Sequence, residues 1–134
     1  MTLCFPDTFE AFGRPAEGLY PPTITLSDTV SGMFIGVSLV DETPVSAGAA
    51  ASMAAWCDTF TSAHNIPFTL QAFSWNGGTA ELCAGTGDAG EAGIDPIEGF
   101  HSFPDGEILH YTVIFSHPPD SDLALGILSS ATVN

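Results

Sequence analysis

The chain has 134 residues with sixteen Asp and Glu against a single basic residue, Arg14, for a formal charge of -15. A chain with one cation can form at most one Arg–carboxylate pair. Phosphate recognition needs a basic patch, so direct nucleic-acid binding is excluded. With 45% hydrophobic residues and ten Phe, it can bury a core, unlike a disordered acidic tail.

The length suits one domain. Gly and Pro together number twenty-four, which implies many turns. Ser and Thr supply much of the polar surface. Residues 1–20 lack the positive opening and continuous apolar run of a secretory leader. Cys4, Cys57 and Cys83 are odd in number and widely spaced. They are expected as free thiols, made in a reducing cytoplasm.

Residues 1–22 read as an extended N-terminal arm, punctuated by Pro6, Pro15, Pro21 and Pro22. Phe5, Phe9 and Phe12 are its candidate intermolecular anchors. Arg14 is expected to pair with a carboxylate across a subunit boundary. Residues 23–134 are expected to form a single β-rich domain. Thr23–Leu26 alternates polar and apolar, as a half-buried strand does, and Met33–Val40 is more continuously apolar.

A helix is expected over about 44–64. Thr43 can cap it, and Pro44 fits its first turn. Ala49, Met53, Trp56, Cys57 and Phe60 fall on one stripe. Asn76-Gly77-Gly78 between Pro67–Trp75 and Thr79–Ala84 reads as a hairpin turn. Gly85–Gly106, with six Gly and two Pro, reads as a long loop. Glu107–Ser116 and Leu123–Val133 read as the last two strands. The fold class is α+β: a mostly antiparallel sheet or sandwich with one inserted helix.

The chemistry-bearing motifs are weak. Gly85–Gly90 matches G-x-G-x-x-G, but Gly93 and Pro96 prevent the helix that a dinucleotide site requires. Asp88, Glu91, Asp95 and Glu98 are candidate oxygen ligands for Ca²⁺, at a spacing unlike an EF-hand. No other cofactor is expected. His64, His101, His110 and His117 form no recognisable catalytic pattern, and G-x-S-x-G is absent.

These features suggest a non-enzymatic structural or interaction protein of a large assembly. A virion capsid decoration (cement) or tail component is the most specific form of that expectation. Its partners would be further copies of itself, a trimer being favoured, and a protein lattice such as a major capsid protein. Two other classes fit the composition: an acidic DNA mimic that inhibits a nucleic-acid enzyme, and a small ligand- or cation-binding module using loop 85–106. The contacts of the first class would come from residues 1–22 and that loop.

Uncompensated carboxylates repel one another, and salt screens the repulsion over a Debye length of about 10 Å at 0.1 M. The melting temperature should therefore rise with NaCl in a calorimetric titration. A melting temperature that falls with NaCl would show that internal ion pairs outweigh the repulsion.

Overall fold

The computed structural model describes residues 1–85, 95–115 and 121–133. Its seven strands are β1 (Phe9–Arg14), β2 (Thr23–Asp28), β3 (Phe34–Val40), β4 (Phe68–Trp75), β5 (Gly78–Gly85), β6 (Asp95–Ser102) and β7 (Ile108–Phe115). They form one antiparallel sheet in the order β1-β2-β3-β7-β6-β5-β4. Two helices accompany it, α1 (Met53–His64) and α2 (Ser121–Ser129). This is the expected α+β class, with a second helix in addition.

Local chemistry explains the turns. Asn76 and Gly77 both take positive φ (52° and 79°), which closes the β4–β5 hairpin. The Asn76 amide also donates to the carbonyls of Ser129 and Ala131, tying the hairpin to the end of α2. Between β2 and β3, Asp28 accepts from the Val30 N–H and the Ser31 hydroxyl, and Gly32 takes φ 75°. The Ser31 hydrogen bond is the main reason the Asp28 carboxyl sits below its ordinary range.

Alternation gives the sheet two faces. Leu26, Ile35, Val37, Leu82, Leu109, Tyr111 and Val113 share one face and are fully buried or nearly so. They join Ala124, Ile127 and Leu128 of α2 in the core cluster. The two chain ends complete this layer: Thr2 exchanges backbone bonds with Thr132, and Leu3 and Val133 pack against the core. On the opposite face α1 packs against β4 and β5. Its Trp56 meets Phe100 of β6, and Phe60 meets Phe68 of β4.

Four expectations are corrected. The helix spans 53–64 rather than 44–64. Thr43 does cap a turn, accepting from the Ser46 N–H, but Gly48 at φ 76° breaks it and Ser52 starts α1 afresh. On its apolar stripe Met53 and Cys57 are buried and Trp56 and Phe60 half-buried.

The expected strand at 123–133 is helix α2 followed by a short bridge. Its buried Ala124, Ile127 and Leu128 recur at helical spacing. Dense aliphatic residues had masked that period.

Part of the expected 85–106 loop is β6, a strand inside the sheet. Pro96 lies one position before pairing to β5 begins at Ile97. Gly99 is a packing glycine: a Cβ there would sit 2.7 Å from Leu82 Cδ2 and overlap the Glu81 carbonyl. The literal G-x-G-x-x-G run falls mostly at 86–90, outside the described residues.

Cys57 and Cys83 are disulfide-bonded, not free thiols; Cys4 is free and exposed. Because α1 lies on β5, two buried cysteines 26 residues apart in sequence are brought face to face. A disulfide weighs against a reducing compartment. No helix among the described residues is long and apolar enough to cross a membrane.

A cross-link over this separation restricts the unfolded chain by about 3.5 kcal/mol in the loop-entropy account. The Cys57→Ala/Cys83→Ala variant should lose about that much in denaturant titration. Reductant should destabilise the natural chain and leave the variant unmoved; equal sensitivity of both to reductant would count against the bond.

Candidate interaction surface

The face bearing α1 is only half covered. Trp56, Cys57 and Phe60 shield the β4–β5–β6 side. The main contacts of α1 are with β4 and β5, away from β1, β2, β3 and β7. There the side chains run in rows set by the register. Phe12, Thr25, Gly36 and Thr112 lie across the sheet from one another, and Arg14, Thr23, Ser38 and His110 form the next row. The Thr23 and Ser38 hydroxyls are 3.0 Å apart. Phe34 and Ile114, opposite each other at one end of this face, are partly exposed. The surface is therefore a half-buried, hydroxyl-rich sheet face with exposed apolar side chains at its margins.

The expected anchors fall in different places. Residues 9–14, within the segment read as an arm, form β1 and pair with β2 along their length. Phe9 is 5% exposed and belongs to the chain's own core. Phe12 is 61% exposed, and Phe5 is partly exposed. Glu10, Phe12 and Arg14 point to the same open face, since they alternate with Phe9, Ala11 and Gly13. Among the described residues Arg14 enters no ion pair.

Sequence reasoning overlooked the β1–β2 connection. There Glu17 and Tyr20 exchange backbone bonds around Gly18, at φ 58°. This turn holds Leu19 fully exposed and Tyr20 75% exposed. Glu17-Gly18-Leu19-Tyr20 between two prolines was the available signal: a turn with apolar residues at its tip.

Of the four candidate cation ligands, Asp88 and Glu91 lie outside the described residues, as does the side chain of Asp95. Glu98 is a strand residue. Its carboxylate is 2.9 Å from His110 Nε2, and the His110 ring stacks on Phe100. Among the described residues no three His, Cys, Asp or Glu side chains gather as a metal site. An open cleft of about 500 Å³ lies between the 43–53 segment and β5–β6, lined by Thr43, Ser46, Ser52, Glu81, Phe100 and Ser102.

His101 sits inside the other layer, fully buried. Its Nε2 is 2.9 Å from the Trp75 carbonyl, so that nitrogen carries the proton. Nδ1 then accepts from the Tyr111 hydroxyl at 2.7 Å. Both polar groups are satisfied, and the neutral ring is held as a core element. The ring of His117 and the side chain of His64 lie outside the described residues.

No protein-family model matches this chain, and neither does any curated protein or solved structure. The case for function therefore rests on the surface itself.

Burial holds His101 below its ordinary value of 6.5, partly opposed by the Trp75 hydrogen bond. The unfolded chain then binds this proton more readily than the folded one. The stabilisation is complete above pH 6.5 and is lost as pH falls through the lower folded value. Stability should fall between pH 7 and 5 by up to about 1.4 kcal/mol per pH unit, the slope of one proton. His101→Gln, neutral throughout, should flatten that limb in denaturant titrations at several pH values. An unchanged slope would assign the acid sensitivity to other groups.

Proposed function

We propose that this chain is a structural, protein-binding subunit of a larger assembly. In its most specific form it is a surface decoration seated on a capsid-type protein lattice. One observation carries the reading: Phe12, Leu19 and Tyr20 stand 61%, 101% and 75% exposed on β1 and the turn that follows it. Large apolar side chains gathered in one short segment mark contact sites, and aromatic residues dominate binding energy there. A turn held by the Glu17–Tyr20 backbone bonds presents them with little ordering left to do on binding.

The charge narrows the partner. At -15, the docking surface of the lattice must be neutral or basic, because an acidic one would be repelled. The hydroxyl-rich open face supports the same role. Thr favours strands, and Thr and Ser both hydrogen-bond to a partner without adding charge.

Deleting residues 2–14 is a poor test, since it removes β1 and the buried Phe9. Leu19→Ser/Tyr20→Ser touches only exposed side chains. The double variant should keep the natural melting temperature and bind the native particle at least about tenfold more weakly, about 1.4 kcal/mol. Sedimentation with particles from the source would measure this. Equal retention of the variant would sink the reading. Salt-sensitive binding to a basic nucleic-acid enzyme, untouched by the variant, would favour the acidic-decoy role instead.

A further inference from the structure

We propose that two copies of this chain associate edge to edge through β1, antiparallel and centred on Phe12, so that Arg14 of each copy faces Glu10 of the other. The inference rests on the assembly reading only in treating β1 as a contact element. It replaces the expected trimer with a two-fold dimer.

β1 is an edge strand. Residues 10–14 are all exposed, and a Cβ added at Gly13 would meet nothing within 4 Å. The direction of its backbone groups follows from the ladder. The Asp28 N–H donates to the Met33 carbonyl, and the Leu39 N–H donates to Pro22. Even-numbered residues of β2 therefore face β3, and odd-numbered ones face β1. Thr23, Thr25 and Ser27 are opposite Arg14, Phe12 and Glu10. Those three β1 residues spend their backbone bonds on β2, and Ala11 and Gly13 present theirs to the open edge.

A two-fold axis at Phe12 uses these groups in full. Ala11 of each copy meets Gly13 of the other, and each such pair exchanges both backbone bonds. Phe12 meets Phe12 as a non-hydrogen-bonded pair, the closer kind, with Cα atoms about 4.5 Å apart. Glu10 meets Arg14 twice by symmetry. The donors stop at the right place. The Phe9 N–H is already bonded to the Pro6 carbonyl, and Pro15, which would face it, has no N–H.

Charge selects this register. Two chains of -15 repel, and Arg14 is the only residue able to offset that at a contact. Centring the axis on Phe12 brings both Arg14 side chains against carboxylates on the same sheet face as the two exposed Phe rings. Opposite charges across strands stabilise, and like charges directly opposite destabilise.

The experiment uses the purified full chain in sedimentation equilibrium, with melting curves to confirm folding. The natural chain should dimerise. Arg14→Glu alone places carboxylates opposite carboxylates, and Glu10→Arg alone places guanidinium opposite guanidinium. Each should weaken the dimer by at least about tenfold, the loss of two cross-strand pairs. An equal mixture of the two single variants should form a heterodimer, and Glu10→Arg/Arg14→Glu should restore the homodimer. In a Cys4→Ser background, Phe12→Cys should cross-link to itself on oxidation. A natural chain that stays monomeric, single variants that dimerise as well as it does, or a mixture that fails to associate would each overturn the proposal. No lattice partner takes part, and Leu19→Ser/Tyr20→Ser should leave the dimer intact, so failure here is distinct from failure of the docking reading.

Discussion

Sixteen carboxylates and one guanidinium leave this fold almost no attractive electrostatics of its own. Among the described residues the one ion pair is His110 with Glu98, and it is charged on both sides only when the imidazole is protonated. Cohesion must come from apolar burial and from the backbone ladder. Both are concentrated in the layer between the sheet and α2, where Leu26, Ile35, Val37, Leu82, Leu109 and Leu128 have almost no exposed surface. Two of its polar members are neutral: His101 and Tyr111 satisfy each other, and burial pushes the Tyr111 hydroxyl further from ionising. Asp28, the one buried acid among the described residues, is held at the end of β2 by the Val30 N–H and the Ser31 hydroxyl, and the other acids lie mainly on turns and strand surfaces, where water supports them.

The same constraint shapes the opposite face. A seven-stranded sheet is wider than one 12-residue helix can cover. The disulfide and the Trp56–Phe100 and Phe60–Phe68 contacts keep α1 at the β4–β5–β6 side. The uncovered part could have been made soluble with Lys and Glu, as exposed sheet faces usually are. Without Lys, a row of carboxylates there would only add repulsion. Thr23, Thr25, Ser27, Ser38 and Thr112 serve instead, polar enough for water, the threonines also well suited to a strand.

Legibility in the sequence followed the range of the interaction involved. Asn76-Gly77 announced its hairpin because the left-handed backbone requirement is local. β2 was visible from alternation and β3 from a continuous apolar run, whereas Thr43, read as the cap of the helix, caps only a short turn that ends before α1. The misses were long-range. Gly99 looked like loop composition, and only the approach of Leu82 on the neighbouring strand shows why a strand needs it. Cys57 and Cys83 looked like unrelated thiols, since only the docking of α1 brings them together. The α2 stripe was hidden for another reason. Leu123-Ala124-Leu125 and Ile127-Leu128 are so uniformly apolar that neither period stands out. On the candidate surface the anchors were half legible. Phe12 stands exposed, but Phe9 on the same strand is core, because successive side chains of β1 face opposite ways. Leu19 and Tyr20 lie in the segment read as an extended arm, whose anchors were sought only at its three phenylalanines.

An exposed edge strand invites indiscriminate pairing, and proteins commonly blunt such edges with Lys, Pro or a bulge. β1 has no bulge and no Lys, and Pro15 lies just past its end. Its protection is the charge of the whole molecule. Copies carrying -15 resist approach in nearly every orientation. An acidic chain without Arg14 would have its edge closed to copies of itself by repulsion alone. A chain with several cations would have it open to many registers. One cation, two residues beyond Phe12, with Glu10 two residues before it, gives an antiparallel partner a single register in which opposite charges meet. On this view the scarcity of basic residues is itself the source of specificity at β1. General repulsion suppresses the wrong pairings, and one Arg licenses the right one.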